Sequence, residues 1–169
     1  LVDSLFVLAP NGVHVNWVKR EIPTHFDIAA EAVAWRPSPG IRWLEDAERR
    51  LFRPRQLGEI PPFRILTMNM ESFITKKGFE FAKRFVLLTK CLFVIDESDR
   101  IKNPKSAVTK KALALRPHAA FARVSTGTPI TEAPLDIFPQ FEFLNEGLLG
   151  TTSYRSFVAE YADLVDVKN

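Results

Sequence analysis

Along the chain, continuous apolar runs alternate with stretches whose apolar residues recur at helical spacing. The run "SLFVLA" (4–9) predicts a buried strand. "NGVHVNWVKREI" (11–22) predicts a helix capped by Asn11, with Val13, Trp17 and Val18 facing inward and Pro23 ending it. "DIAAEAVAW" (27–35) reads as a second strand. Residues 36–62 form an irregular insertion rich in arginine and proline, with one short helix over 41–52. "FRILTMN" (63–69) is the third strand, and residues 71–90 are mostly helical with a break near Gly78. "CLFVI" (91–95) is the fourth strand. A helix follows from Pro104 to Leu115, capped by Asn103, with Val108, Ala112 and Leu115 inward and Lys110 and Lys111 outward. "AAFARVS" (119–125) is the fifth strand, and two helical segments, 133–144 with a kink at Pro139 and 152–164, complete the pattern.

Strand and helix in repeated alternation predict an α/β fold: one domain over residues 1–169, with a mainly parallel sheet, right-handed crossovers and helices on both faces. In such a sheet the turns that follow the strands share one rim. "APNG", "TMNMES", "DESD" and "STGTP" are therefore expected to converge on a single cleft.

Composition narrows the picture. A chain of 169 residues with 46% hydrophobic content buries one real core. No apolar run is long enough to cross a bilayer and no signal-peptide pattern opens the sequence, so the expectation is a cytoplasmic protein with no membrane partner. The single cysteine, Cys91, lies in an apolar run and reads as an inert core thiol. A net charge of +3 does not by itself imply nucleic acid. Its distribution is uneven, because seven Lys or Arg and no Asp or Glu stand between Arg100 and Arg123. That block is either a polyanion contact or a solvated helix face.

The densest chemistry is in "VIDESDRIKNP" (94–104), where Asp96, Glu97 and Asp99 follow a run that should be buried. A surface turn would explain three acids. The strand before them and the helix start after them put them instead on a strand-to-helix crossover, where parallel sheets bind ligands. Asp96 and Glu97 have the form of a hydrolase pair, the first carboxylate anchoring Mg²⁺ and the second deprotonating water. An apolar run followed by "DE" is common, and alone it is weakly specific.

The sequence resembles the first RecA-like motor domain of a superfamily-two DNA helicase of the Swi/Snf type, in a form like those of phages and bacteria. "VLAPNGVHVNW" looks like motif Ia, "VIDESDRIKNP" like motif II, and "STGTPITEAPLDIFPQFEFLNEGLLG" like motif III and the helix after it, with "ILTMNMESF" a weaker match. The resemblance implies ATP and Mg²⁺ as cofactors and DNA as partner. It implies Asp96 as metal anchor, Glu97 as catalytic base, and Ser98, Asp99, Thr126, Gly127 and Thr128 as the link between nucleotide state and DNA movement. Pro10, Asn11, Thr67, Lys102 and Asn103 are then the DNA-contacting set. Trp17 matches a family tryptophan, although a helix-face tryptophan is more often a core residue.

Two departures stand out. Motif II usually ends in His where this chain has Asp99, which puts the link to motif III in doubt. None of the seven glycines precedes a lysine, so no Walker A loop, G-x-x-x-x-G-K-[ST], occurs in these residues. The expectation is a partial RecA-like domain without the Walker A strand and helix, inactive by itself. It would need a second RecA-like domain and be prone to self-association through an exposed sheet edge. Two other readings remain open at this stage: a non-catalytic DNA-binding module using the basic block, and a metal-dependent nuclease or phosphoesterase built on the acids with His14, His25 or His118.

Overall fold

Side chains alternate across each strand, and that alternation divides the interior into two unequal cores. The computed structural model describes residues 1–54, 61–130 and 133–162. Strands β1 (Ser4–Ala9), β2 (Ala30–Ala34), β3 (Phe63–Asn69), β4 (Cys91–Asp96) and β5 (Phe121–Ser125) form one sheet in the order β2-β3-β1-β4-β5. Every pairing is parallel. Central β1 is buried at all six positions, as a strand covered on both faces must be.

One face carries Phe6, Leu8, Leu66, Met68, Phe93 and Ile95, packed against helices α3 (Ile41–Phe52), α4 (Met70–Phe73), α5 (Lys76–Leu88), α6 (Ala107–Leu115) and α7 (Ile137–Leu144). Aromatic rings fill its centre: Phe6 stacks on Phe93 and Phe143 meets Phe93 edge-on, with centroids 4.8 Å apart in each pair. Burying each such ring contributes about 2 kcal/mol. The other face carries Leu5, Val7, Ala9, Ile65 and Val94 under a single helical stretch made of α1 (Val13–Asn16), a π turn (Trp17–Glu21) and α2 (Ile22–His25). A last helix, α8 (Tyr154–Tyr161), docks Phe157 on Phe138.

The sequence places all five strands, but several helix boundaries differ from expectation. The first helix starts at Val13 after Gly12, whose φ of 82° suits glycine, and Asn11 does not cap it. Pro23 does not end it. Ile22 N–H bonds to the carbonyl of Trp17 five residues back, and this wider turn takes up the proline, so that helix continues to His25. The break in 71–90 lies at Ile74–Thr75, where Thr75 caps α5 by accepting from Gly78 N–H at 3.0 Å. Gly78 sits inside α5 because the Ser72 carbonyl passes close by. Asn103 does not cap α6. Its Oδ1 accepts from Lys105 N–H at 2.9 Å in a local turn, and Ser106 caps the helix from Thr109 N–H. Pro139 falls in the first turn of α7, where its missing N–H interrupts nothing. Of the expected elements, residues 163–164 of the last helix and residues 55–60 of the insertion lie outside the described residues.

Candidate functional site

The parallel register brings the predicted loops together. Ala9 pairs with Asn69, Leu8 with Ile95, and Asp96 with Ser125, so β3, β1, β4 and β5 end at one level of the rim. Across the first two loops, Asn69 Nδ2 donates to Asn11 Oδ1 at 3.4 Å. Pro10 is half-buried and Asn11 exposed in the turn after β1, where the Pro10 carbonyl accepts from His14 N–H.

Asp96 ends β4 half-buried, and both its oxygens are engaged. Oδ2 accepts from the indole Nε1 of Trp17 at 3.0 Å, and Oδ1 accepts from the Glu97 backbone N–H at 3.2 Å. Trp17 is thus both a core residue, packed on the smaller cluster, and a partner of the carboxylate. It opens the π turn, a feature that recurs at functional sites. Glu97 follows at φ 54° and ψ 61°, the one non-glycine residue with positive φ among those described. A left-handed glutamate costs roughly 1–2 kcal/mol. Its side chain is exposed at the rim, and the buried Ser98 and Ile101 of the 3-10 turn Ser98–Ile101 anchor the chain behind it.

The link from this loop to the one after β5 runs through a residue that sequence reasoning did not single out. Ser98 Oγ donates to Gln140 Oε1 at 2.6 Å, and Gln140 Nε2 donates to the carbonyls of Pro129 at 2.7 Å and Asp136 at 3.0 Å. The signal was present, since an amide interrupts the apolar segment "IFPQFEFL". Asp99 takes no part in that link, and its Oδ1 is buried without a hydrogen-bond partner among the described residues. In the β5 loop Thr126 is half-buried and Gly127 and Thr128 are exposed, with Thr128 N–H donating to Thr126 Oγ1 at 3.1 Å.

The remaining candidates divide. Lys102 is half-buried and Asn103 exposed just beyond the acidic turn. Thr67 is fully buried, and its hydroxyl donates to the His14 carbonyl at 2.6 Å, so it ties β3 to α1. His14 is buried with Nε2 3.2 Å from the Trp35 carbonyl. The basic stretch 100–123 is not one continuous contact face. Lys111 lies over the Phe79 ring at 4.4 Å, and Arg116 donates to the carbonyls of Phe143, Leu144 and Ala119 at 2.8–3.0 Å. Burial lowers the Arg116 pKa, and its charge serves the negative C-terminal end of α7.

Among the described residues no group of three or more His, Cys, Asp or Glu is arranged to hold a metal. Asp96 with exposed Glu97 beside it fits an ion that keeps most of its own water and takes one or two carboxylates, as Mg²⁺ does. A cleft of about 650 Å³ lies at the opposite end of β2 and β3 between Arg49, Arg50, Arg64 and the carboxylates of Glu31 and Asp46. Arg50 there is paired with Glu31 at 2.8 Å, and no candidate residue lines the cleft. No helix among the described residues is long and apolar enough to cross a membrane.

The model of the SNF2-related domain family matches residues 67–163, more than half of the chain and the part that holds both β4 and β5 with their loops. The Zorya protein ZorD of Escherichia coli O139:H28 (strain E24377A / ETEC) is 39% identical over 59 residues, 35% of this chain and 5% of ZorD. The Sulfolobus solfataricus SWI2/SNF2 ATPase core, solved in complex with dsDNA, superposes with a TM-score of 0.62 at 22% identity, over 95% of this chain and 28% of that one. The chain thus spans a small part of each relative. The structural likeness carries the fold, which is the RecA-like α/β arrangement with an all-parallel sheet flanked by helices.

Proposed function

The chain belongs to the SNF2-related domain family, and from that premise we propose that it is part of the first motor domain of a DNA-dependent ATPase of the helicase and translocase class. The observation that carries the reading is the pair at the end of β4. A half-buried Asp96 is held by an indole N–H, and an exposed Glu97 is kept in a left-handed conformation that the fold maintains against its cost.

In this reading Asp96 is the residue that would hold Mg²⁺ through its water shell, and Glu97 orients and deprotonates the attacking water. Bound Mg²⁺ supplies neutralisation of charge on the transferring phosphoryl group. The Trp17 N–H fixes the plane of the Asp96 carboxylate, so that its remaining lone pairs have one orientation. The loop Thr126–Thr128 stands beside the two acids through the Asp96–Ser125 pairing and relays the state of the site. Pro10, Asn11, Lys102 and Asn103, on the same rim, are the proposed contacts to a DNA backbone. The 169 residues contain no G-x-x-x-x-G-K-[ST] sequence to surround the phosphates, so these residues alone are expected to bind ATP weakly and not to turn it over.

Glu97→Gln in the full-length ATPase that carries this domain is the test. The proposal expects DNA-stimulated hydrolysis to fall by two or more orders of magnitude, about the size of a lost general base, with DNA affinity retained. Hydrolysis at the wild-type rate would remove Glu97 from the chemistry and leave a DNA-binding module as the better reading. Micromolar ATP affinity of the 169-residue chain would overturn the expectation for these residues alone.

A further inference from the structure

The loops after β4 and β5 touch through backbone only as far as the pairing of Asp96 with Ser125. Beyond that point, among the described residues, the Gln140 side chain spans them. Gln140 is 3% exposed on α7, and both ends of its amide are used. Oε1 accepts the hydroxyl of fully buried Ser98, and Nε2 donates to Pro129 and to Asp136. Glutamine is the side chain of this length that accepts at one atom and donates twice at the other. Packing alone would favour an apolar residue at this place, because a buried amide is costly unless its bonds are made.

We infer that Gln140 is a positioning residue that couples displacement of the Thr126–Pro129 loop to Ser98, and so to Glu97 beside it; this rests on the reading of Glu97 as the hydrolytic base. If the Pro129 carbonyl moves and Ser98 does not, a buried donor or acceptor loses its partner, at the full desolvation cost of that group. The two loops therefore shift together. Ser98 and Gln140 supply the connection that Asp99 does not make.

The experiment reads backbone amide NMR shifts in the 169-residue chain, with Ser98→Ala as a small disturbance on the acidic side. In the wild-type background its effect is expected to reach the amides of Thr128 and Ile130 as well as residues 97–101. In a Gln140→Met background, where an unbranched apolar chain fills the same volume, the effect is expected to stay within 97–101. Gln140→Leu, a branched apolar side chain, likewise removes both the acceptor for Ser98 and the donor for Pro129, and the same confinement is expected, which covers the case of a poorly folded Met variant. Equal spread in all backgrounds, or no spread in the wild type, overturns the inference. In the full-length ATPase, either Gln140 variant should lower the ratio of DNA-stimulated to basal turnover at least about fivefold, and adding Ser98→Ala to Gln140→Met should lower it no further. Additive losses would mean that the two residues act separately. If the shifts cross as expected while Glu97→Gln leaves hydrolysis intact, the coupling stands and the assignment of Glu97 fails. The converse result separates them the other way.

Discussion

The indole nitrogen of Trp17 donates to Oδ2 of Asp96 at 3.0 Å, joining the π turn after β1 to the end of β4 across 79 positions of sequence. A tryptophan on a helix face ordinarily needs no more explanation than packing, and Trp17 does pack on the Leu5–Val7–Ala9 core. The π turn also brings its N–H to a carboxylate whose other oxygen is held by the Glu97 backbone N–H at 3.2 Å, so that both oxygens are fixed. Trp17→Phe keeps most of the packing and removes the donor. Outer partners of metal-binding carboxylates change affinity by about 10–100-fold. The full-length protein should therefore need roughly tenfold more Mg²⁺ or Mn²⁺ for half-maximal hydrolysis, while thermal unfolding moves little. An unchanged metal requirement would show that the indole serves the core alone.

Glu97 offers a second check, because its backbone conformation and its carboxylate can be separated. At φ 54° a Cβ is strained and glycine is not. Glu97→Gly and Glu97→Ala both delete an exposed side chain, but only the first relieves the backbone. The glycine variant is expected to be more stable than the alanine variant by about 1 kcal/mol, less than the full strain because glycine also loses more chain entropy. Both should lack hydrolysis in the full-length protein. Urea unfolding of the two variants measures the difference, and equal stabilities would mean that the loop relaxes out of the left-handed region at little cost.

How much of this was readable in the sequence depends on the range of the interactions. The strands were legible because β1, β3 and β4 are short, mainly apolar runs and β2 and β5 are short segments between turn signals, and in a parallel sheet the turns after them share one rim. That is why Asp96, Glu97 and the Thr126–Thr128 loop were expected on one rim. The π turn was not legible, since it is set by Pro23 locally and by Asp96 from far away. Thr67 stands among apolar residues like a group kept for a ligand, but its hydroxyl is used by a carbonyl 53 positions distant. Gln140 was overlooked for a related reason. Its three partners lie on two other loops and one turn of its own helix, and only the assembled fold brings them together.

The break between α4 and α5 was expected at Gly78, and the reason it lies elsewhere can be tested. A Cβ on Gly78 would stand 2.1 Å from the Ser72 carbonyl oxygen and 2.9 Å from its carbon, both backbone atoms of the preceding turn. In an open helical position alanine would be the more favourable residue by about 1 kcal/mol. Here Gly78→Ala should instead destabilise by about 2 kcal/mol, the usual cost of forcing an extra carbon into packed backbone. The urea midpoint should fall with an unchanged slope. A stabilised variant would mean that α4 moves away from α5 without resistance.

Cys91 provides a prediction in the alkaline range. Burial is the main cause that raises its thiol pKa from 9.0 to about 12, with a hydrogen bond from Ser4 opposing it. The folded protein thus keeps the thiol protonated at pH values where the unfolded chain has already lost the proton. The contribution of Cys91 to stability is complete below pH 9.0 and is lost as the pH rises toward about 12, at about 1.4 kcal/mol per pH unit within that window. Other groups titrate there as well, so the comparison is with Cys91→Ala. The alanine variant should start less stable by the small cavity it creates, and its stability should fall less steeply between pH 9 and 11. At pH 8 almost no thiolate forms in the folded state, and an alkylating reagent should modify Cys91 only at the rate of unfolding. Rapid labelling of the folded chain at pH 8, or parallel stability curves for the two proteins, would show that the thiol reaches solvent without global opening.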